Sequence, residues 1–363
     1  MEKRNIGGDY RETIIVAEAG TAHNGDLSKA ERLIAAASEC GADYVKFQYV
    51  IADEILHPKT DAVELPGGLI PLFKRFKELE RPPGFYEELI KLCDKHGVSF
   101  LCAAFGLESA ENLYRLGVKS LKIASPELNH TPLLREAGSF GIPIVLSSGV
   151  STISDIDYAL STVNNAEILL HCVTAYPAPE TEYNLNLLPH LSSLFGIACG
   201  VSDHSLNEEL VPVLSTTVNA KMIEKHFTLS NEDDGLDDKI ALAPESFKRM
   251  AAAVRKSEKK RPEEVIDELT EKYGEEKVRA VLGNGGKKPA ASELGNYKTT
   301  RRSVLARNDI KKGSFASYQN CGVYRSEKNL LPGMAPALFE SFLGREFAKP
   351  LKSGDPVLID CFF

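Results

Sequence analysis

Residues 197–229 read IACGVSDHSLNEELVPVLSTTVNAKMIEKHFTL. Two short β-favouring runs, IACGVSDHS (197–205) and KMIEKHFTL (221–229), flank NEELVPVLSTTVNA (207–220), whose apolar residues recur at helical spacing. A strand, a helix and a second strand in so few residues form a parallel crossover unit. The strands nevertheless carry Ser202, Asp203 and His204, and then Glu224, Lys225 and His226, where a buried strand should carry Val or Leu. Polar groups gathered at one end of consecutive parallel strands are the mark of a fold that builds its site there.

The same alternation extends outward from residue 13 to about 258. Apolar β-branched runs appear at TIIVAEAG, YVKFQYV, SFLCAAF, SLKIAS, PIVLSSG and EILLHCV before the two above. Helical patterns separate them; in LSKAERLIAAASECGA, Leu27, Ala30, Leu33, Ile34 and Ala37 share one face. Gly41, Gly97, Gly117 and Gly141 stand where helices should stop. Eight such units predict an α/β fold, a (β/α)8 TIM barrel. A doubly wound open sheet is the alternative, but no GxGxxG follows the first strand. The division expected is a barrel over 1–258, a helical and linker segment over 259–294, and a small β-rich domain over 295–363 with strands at RRSVLAR and DPVLIDCFF and a helix at APALFESFLG. Residues 51–82, containing LPGGLIPLFKRF, read as an inserted lid, and 257–285 as exposed, charge-dense helices.

The chain is 43% hydrophobic and 26% charged with a net charge of −8, which suits a globular protein and argues against nucleic acid as a partner. The seven cysteines form no CxxC pair and read as reduced thiols. The N-terminus MEKRNIGGDYRE has no hydrophobic leader, and no apolar run reaches spanning length, so a cytoplasmic protein without a membrane partner is expected.

Nearly every strand delivers polar groups at one end: Glu18 with His23, Lys46 with Gln48, Lys122 with Ser125 and Glu127, Ser147 with Ser148, Thr174 with Tyr176, and the two clusters already quoted. Burying so many without a ligand costs several kcal/mol each by desolvation, on the order of 2–7 kcal/mol for an unpaired polar group. Two lysines and three serines suit a phosphate or carboxylate. His204 and His226 suit a shared divalent metal, with Glu18 as a further ligand or a base, and carboxylates such as Asp237 suit sugar hydroxyls or proton transfer. His57, His96, His130, His171 and His190 read as ordinary hydrogen-bonded residues, and Cys102 and Cys172 as buried thiols.

In chain order, IIVAEAGTAHNGD, GADYVKFQ, LKIAS, SSGVST, HCVTAYPAP, GVSDHS and IEKHFTL resemble the N-acetylneuraminate (sialic acid) synthase family, which includes legionaminic and pseudaminic acid synthases. The tail RRSVLARNDIKKGS…LPGM…LKSGDPV resembles its C-terminal SAF (antifreeze-like) domain. The resemblance implies a transferase that joins phosphoenolpyruvate to an N-acylated hexosamine such as N-acetylmannosamine, giving a nonulosonic acid and phosphate. It implies Mn²⁺ or Mg²⁺ on His204 and His226, with Glu18 acting on water. Phosphoenolpyruvate contacts then fall on Lys46, Lys122, Ser125, Ser147 and Ser202, and sugar contacts on Gln48, Glu127, Tyr176 and Asp237. Arg302 matches an arginine that the SAF domain, seated over the partner's barrel in a domain-exchanged homodimer, supplies to the sugar's N-acyl group. The chain departs from the family pattern at Ala22, Ala103, Pro126 and Asp238, most of which the resemblance places beside the sugar or phosphate site. Two other readings follow from the same residues: a metal-dependent aldolase on the same barrel, and a sugar-binding relative without turnover.

Overall fold

The computed structural model describes residues 4–8, 10–65, 68–327 and 329–363. Its centre is a closed barrel of eight parallel strands: β1 (Ile14–Gly20), β2 (Tyr44–Gln48), β5 (Ser99–Ala104), β6 (Leu121–Ile123), β7 (Ile144–Ser147), β8 (Ala166–Cys172), β9 (Ala198–Asp203) and β10 (Met222–His226). β10 closes on β1, with Glu18 opposite His226. Between β2 and β5 lies a short antiparallel hairpin, β3 (Ala62–Leu65) and β4 (Gly68–Pro71). The eight runs read from the sequence are the eight barrel strands.

Local chemistry sets the helices between them. Asp26 caps the helix Leu27–Glu39 by accepting from the N–H groups of Ser28 and Lys29 at 2.8 and 3.2 Å. The face read as apolar buries Ala30, Leu33, Ile34 and Ala37 against the barrel. Full burial of a leucine or isoleucine there contributes about 1.5–3 kcal/mol. At Gly200 a side chain is excluded, because a Cβ would lie 2.3 Å from the Met222 carbonyl oxygen.

The helices Pro262–Tyr273 and Glu275–Leu282 differ from the expectation of merely exposed helices. Each lays a stripe on the barrel's outer shell, with Val265, Leu269, Val278 and Val281 buried. The remaining chain packs its own core of Val304, Ile310, Phe339, Phe347 and Val357 around two antiparallel strands, β11 (Arg302–Ala306) and β12 (Cys321–Arg325). β12 was not foreseen. DPVLIDCFF is not a strand: Val357 exchanges hydrogen bonds with Val304 and Met334, and Ile359–Phe362 then coils into a 3₁₀ turn that buries Cys361. APALFESFLG is helical only over Pro336–Phe342.

This C-terminal domain lies over its own barrel. Asn129 Nδ2 donates to the Arg302 carbonyl at 2.8 Å, Arg135 forks onto Glu340, and Leu56 bridges to Arg325. Residues 51–82 form a helix (Ala52–Ile55), the β3–β4 hairpin and a helix (Leu72–Leu79); Pro66 and Gly67 of LPGGLIPLFKRF lie outside the described residues. Among the described residues no helix is long and apolar enough to cross a membrane.

Candidate active site

Strand side chains alternate, so one position in two faces the barrel axis. Ile14, Val16, Tyr44, Leu101, Val145, Ile168, Leu170 and Met222 fill the lower interior as one apolar cluster. One step of two further along the same strands come Glu18, Lys46, Ser147, Cys172 and Glu224, and His226 follows Glu224 by two more. The interior therefore changes from apolar to charged within a single layer, at the C-terminal ends. Asp203 and Lys225 fall on the outward phase, where they pair at 2.6 Å. Lys225 also donates to the Ser205 hydroxyl and Asn207 carbonyl, tying the loop after β9 from behind.

The polar layer floors a cavity of about 260 Å³. Glu18, Lys46, Gln48, Lys122, Ser125, Ser147, Tyr176, Ser202, His204, His226 and Asp237 all line it. Lys46 Nζ lies 2.9 Å from Glu18 and 3.6 Å from Glu224. Lys122 Nζ donates to Ser147 Oγ at 2.6 Å and stands 3.9 Å from Glu224. Ser202 Oγ donates to Glu224 at 2.9 Å, and Gln48 donates to Glu18 at 2.8 Å. Burial alone would raise the Glu224 carboxyl, but Lys122 and Lys46 outweigh it and hold it at about 2. Burial works against Lys46 too, yet Glu18 and Glu224 hold it above the ordinary lysine range. Lys122 stays below that range, because burial exceeds the pull of Glu224. The layer is thus a fixed array of charges out of water, where each acts strongly.

His204 and His226 face each other across the mouth with ring centroids 5.3 Å apart, and Tyr176 stacks on His204 at 4.3 Å. His204 Nδ1–H donates to the Val173 carbonyl at 2.9 Å, which turns Nε2 toward a ligand. Burial lowers the basicity of His204, but the Cys172 sulfur, 3.8 Å from Nδ1, outweighs it and raises the imidazole. Burial and the neighbouring His204 hold His226 neutral, down to about 3. Neutral imidazole is the ligand form: His226 is held in it, and at His204 a divalent cation would take the place of the Nε2 proton, so the pair fits such an ion. Among the described residues no three His, Cys, Asp or Glu side chains form a metal-binding cluster; the protein would supply two ligands, and water or substrate the others.

Two expected site residues lie elsewhere. Glu127 and Arg302 do not line the cavity: both side chains are fully buried and pair with each other at 3.0 Å. Arg302 spends its remaining donors on the carbonyls of Glu54, Ile55, Phe105 and Val323. The Arg302 read as the domain's sugar contact thus has its donors on protein acceptors in this structure. Arg325, directly opposite on β12, lines the cavity instead and donates to Glu127 at 2.6 Å. Sequence reasoning missed it because an Arg in NCGVYRSE gives no sign of which way the domain docks. Asn296 and Thr300 join it. Val63, Leu72 and Phe76 of residues 51–82, with Phe105 and Leu236, give the cavity an apolar roof.

His171 hydrogen-bonds the Tyr183 carbonyl at 2.6 Å on the outer phase, as an ordinary core histidine. His57, His96, His130 and His190 likewise have local partners. All seven cysteines are free and buried, although Cys172 also borders the cavity.

The profile of the NeuB family matches residues 33–265. An N,N'-diacetyllegionaminic acid synthase of Campylobacter jejuni is 33% identical over 95% of this chain and 98% of its own. A pseudaminic acid synthase of Helicobacter pylori is 32% identical, covering 95% and 96%. Among solved structures, the spore coat polysaccharide biosynthesis protein SpsE of Bacillus subtilis superposes with a TM-score of 0.82 at 31% identity, over 97% of this chain and 95% of its own. With the closed barrel and its charged mouth, these matches show that the chain belongs to the NeuB family.

Proposed function

We propose that the chain is a phosphoenolpyruvate-dependent nonulosonic acid synthase, a C–C bond-forming transferase whose acceptor is the open-chain aldehyde of an N-acylated hexosamine such as N-acetylmannosamine. One observation carries the reading: two lysines and three serines, Glu18 and two facing histidines converge in one cavity. The cations and hydroxyls of Lys46, Lys122, Ser125, Ser147 and Ser202 would hold the phosphate and carboxylate of phosphoenolpyruvate. C3 of the enol ester forms a bond to the aldehyde carbon, whose oxygen takes a proton. Glu18 removes a proton from a water whose oxygen bonds to C2. The C2–O bond to phosphate then breaks as the new C2 hydroxyl gives its proton to the leaving phosphate, leaving a ketone and inorganic phosphate. His204 and His226 would hold Mn²⁺ or Mg²⁺, which when bound polarises the aldehyde oxygen. Gln48, Tyr176 and Asp237 with Arg325 would orient the sugar, and Arg325 is itself steadied by Glu127.

The reading takes 1–258 as the catalytic barrel, 259–294 as a connecting segment and 295–363 as an SAF-type domain, in a cytoplasmic enzyme of sialic-type acid biosynthesis. A second acceptor class, a diacetamido-trideoxyhexose, is favoured by the apolar roof of Val63, Leu72, Phe76, Phe105 and Leu236. A 6-methyl and a second acyl group would bury there where a hydroxyl would lose its water. The names of the legionaminic and pseudaminic acid synthase relatives support the same class.

The test is phosphate release from phosphoenolpyruvate with Mn²⁺, screened over N-acetylmannosamine, unacylated hexoses and the diacetamido-trideoxyhexoses. Release with one acylated sugar supports the synthase. Release with unacylated sugars alone would shift the reading to another aldose condensation, and sugar binding without release to a relative that has lost turnover.

A further inference from the structure

The segment after the last barrel-side helix reads GNGGKKPAASE (283–293), and its structure is that of a strap. Asn184 and Asn186 fix it by hydrogen bonds to Gly283, Gly285 and Gly286, and Ser292 donates to Glu182. It brings two charged side chains to the loops behind the cavity. Lys287 Nζ donates to the Ser148 carbonyl at 2.7 Å. The Glu293 carboxylate, 1% exposed, accepts from the N–H of Val150 and the N–H of Thr174, both at 2.8 Å on one oxygen, and from Ala290 N–H at 2.8 Å on the other.

The turn these groups hold needs holding. Val150 has φ +43°, a left-handed backbone that a β-branched residue rarely adopts. Gly149 before it admits no side chain, since a Cβ would lie 2.0 Å from Thr174 Oγ1 and 2.9 Å from Ser125 Oγ. Gly149 N–H donates to Ser125 Oγ at 3.0 Å, and Ser147 two residues earlier accepts from Lys122. Ser125, Ser147 and Thr174 all face the cavity. We infer that Glu293, supported by Lys287, is a positioning residue for the anion end of the cavity: it clamps the strained turn after β7 to the loop after β8 and so sets the hydroxyls that would receive phosphoenolpyruvate. Glu293 touches no substrate itself. This inference rests on the proposed reaction for its ligand, and on geometry alone for the clamp.

The experiment compares full-length Glu293→Ala, Glu293→Gln and Lys287→Met with the unaltered chain. Calorimetry reads phosphoenolpyruvate binding in the presence of Mn²⁺, and steady-state kinetics read KM for each substrate. Glu293→Ala is expected to weaken phosphoenolpyruvate about tenfold or more, as for loss of a buried acceptor, with acceptor KM unchanged within about twofold. Glu293→Gln keeps the oxygen that accepts from Val150 and Thr174 and should recover most of the loss. Lys287→Met should weaken the same substrate by a smaller factor. Equal rises in both KM values, or unchanged phosphoenolpyruvate binding in Lys287→Met and Glu293→Ala, would overturn the inference. Amide hydrogen exchange without ligand separates the clamp from the reaction. Residues 148–151 and 173–175 should exchange faster in the variants, and unchanged protection overturns the clamp whatever the chain binds.

Discussion

Arg302 and Arg325 sit directly opposite each other on adjacent strands, where two cations ordinarily repel. Glu127 offsets this by accepting from both through one oxygen. Their surroundings then divide the work. Arg302 has every donor on protein, so Arg302→Ala should cost about 3–5 kcal/mol in urea unfolding, the range for breaking a buried pair. Arg325→Ala should leave the urea midpoint nearly unchanged and raise acceptor KM about tenfold, as for one lost charged hydrogen bond. The reverse pattern would return Arg302 to the sugar. The strand-end groups were legible as a site because period-two alternation carries them inward without reference to anything distant. Choosing between two arginines was not, since it depends on how one domain docks on another.

The insertion and the barrel strands show the same contrast between local and distant signals. Eight strands could be read because each is bounded by its own helix and turn. The roof could not, because Val63, Leu72 and Phe76 line the cavity only once the β3–β4 hairpin folds back over the mouth. DPVLIDCFF misled for a related reason: its apolar run serves a small core through a turn, where β-propensity is overridden by packing. If the roof recognises a methyl and a second acyl group, Phe76→Ser should lower kcat/KM for a diacetamido-trideoxyhexose about 10–200-fold relative to N-acetylmannosamine, the range for a lost apolar contact. Equal effects on both sugars would remove the insertion from acceptor choice.

The whole molecule buries several histidines uncharged. Burial, and after it the nearby Lys287, bring His171 down to about 3, and burial with Arg81 and Lys29 brings His23 to about 4. Unfolded, both return to about 6.5. The unfolded chain therefore binds protons that the native chain refuses, and stability present above pH 6.5 is lost as pH falls toward 3. Each histidine contributes a slope of about 1.4 kcal/mol per pH unit inside that window. Urea midpoints should fall between pH 7 and pH 5, with a shallower fall in His171→Gln. A flat profile would mean that these rings are protonated in the native chain.

In the proposed reaction one cavity joins phosphoenolpyruvate to an aldehyde while Glu18 delivers water to C2. It is tested most directly with phosphoenolpyruvate carrying ¹⁸O in the C–O–P bridge, incubated with Mn²⁺ and an acylated hexosamine. The label should leave entirely in inorganic phosphate, with an acid product three carbons longer than the sugar, and both should vanish in Glu18→Gln and His226→Ala. Label retained in the product, or phosphate released without a lengthened sugar, would contradict it.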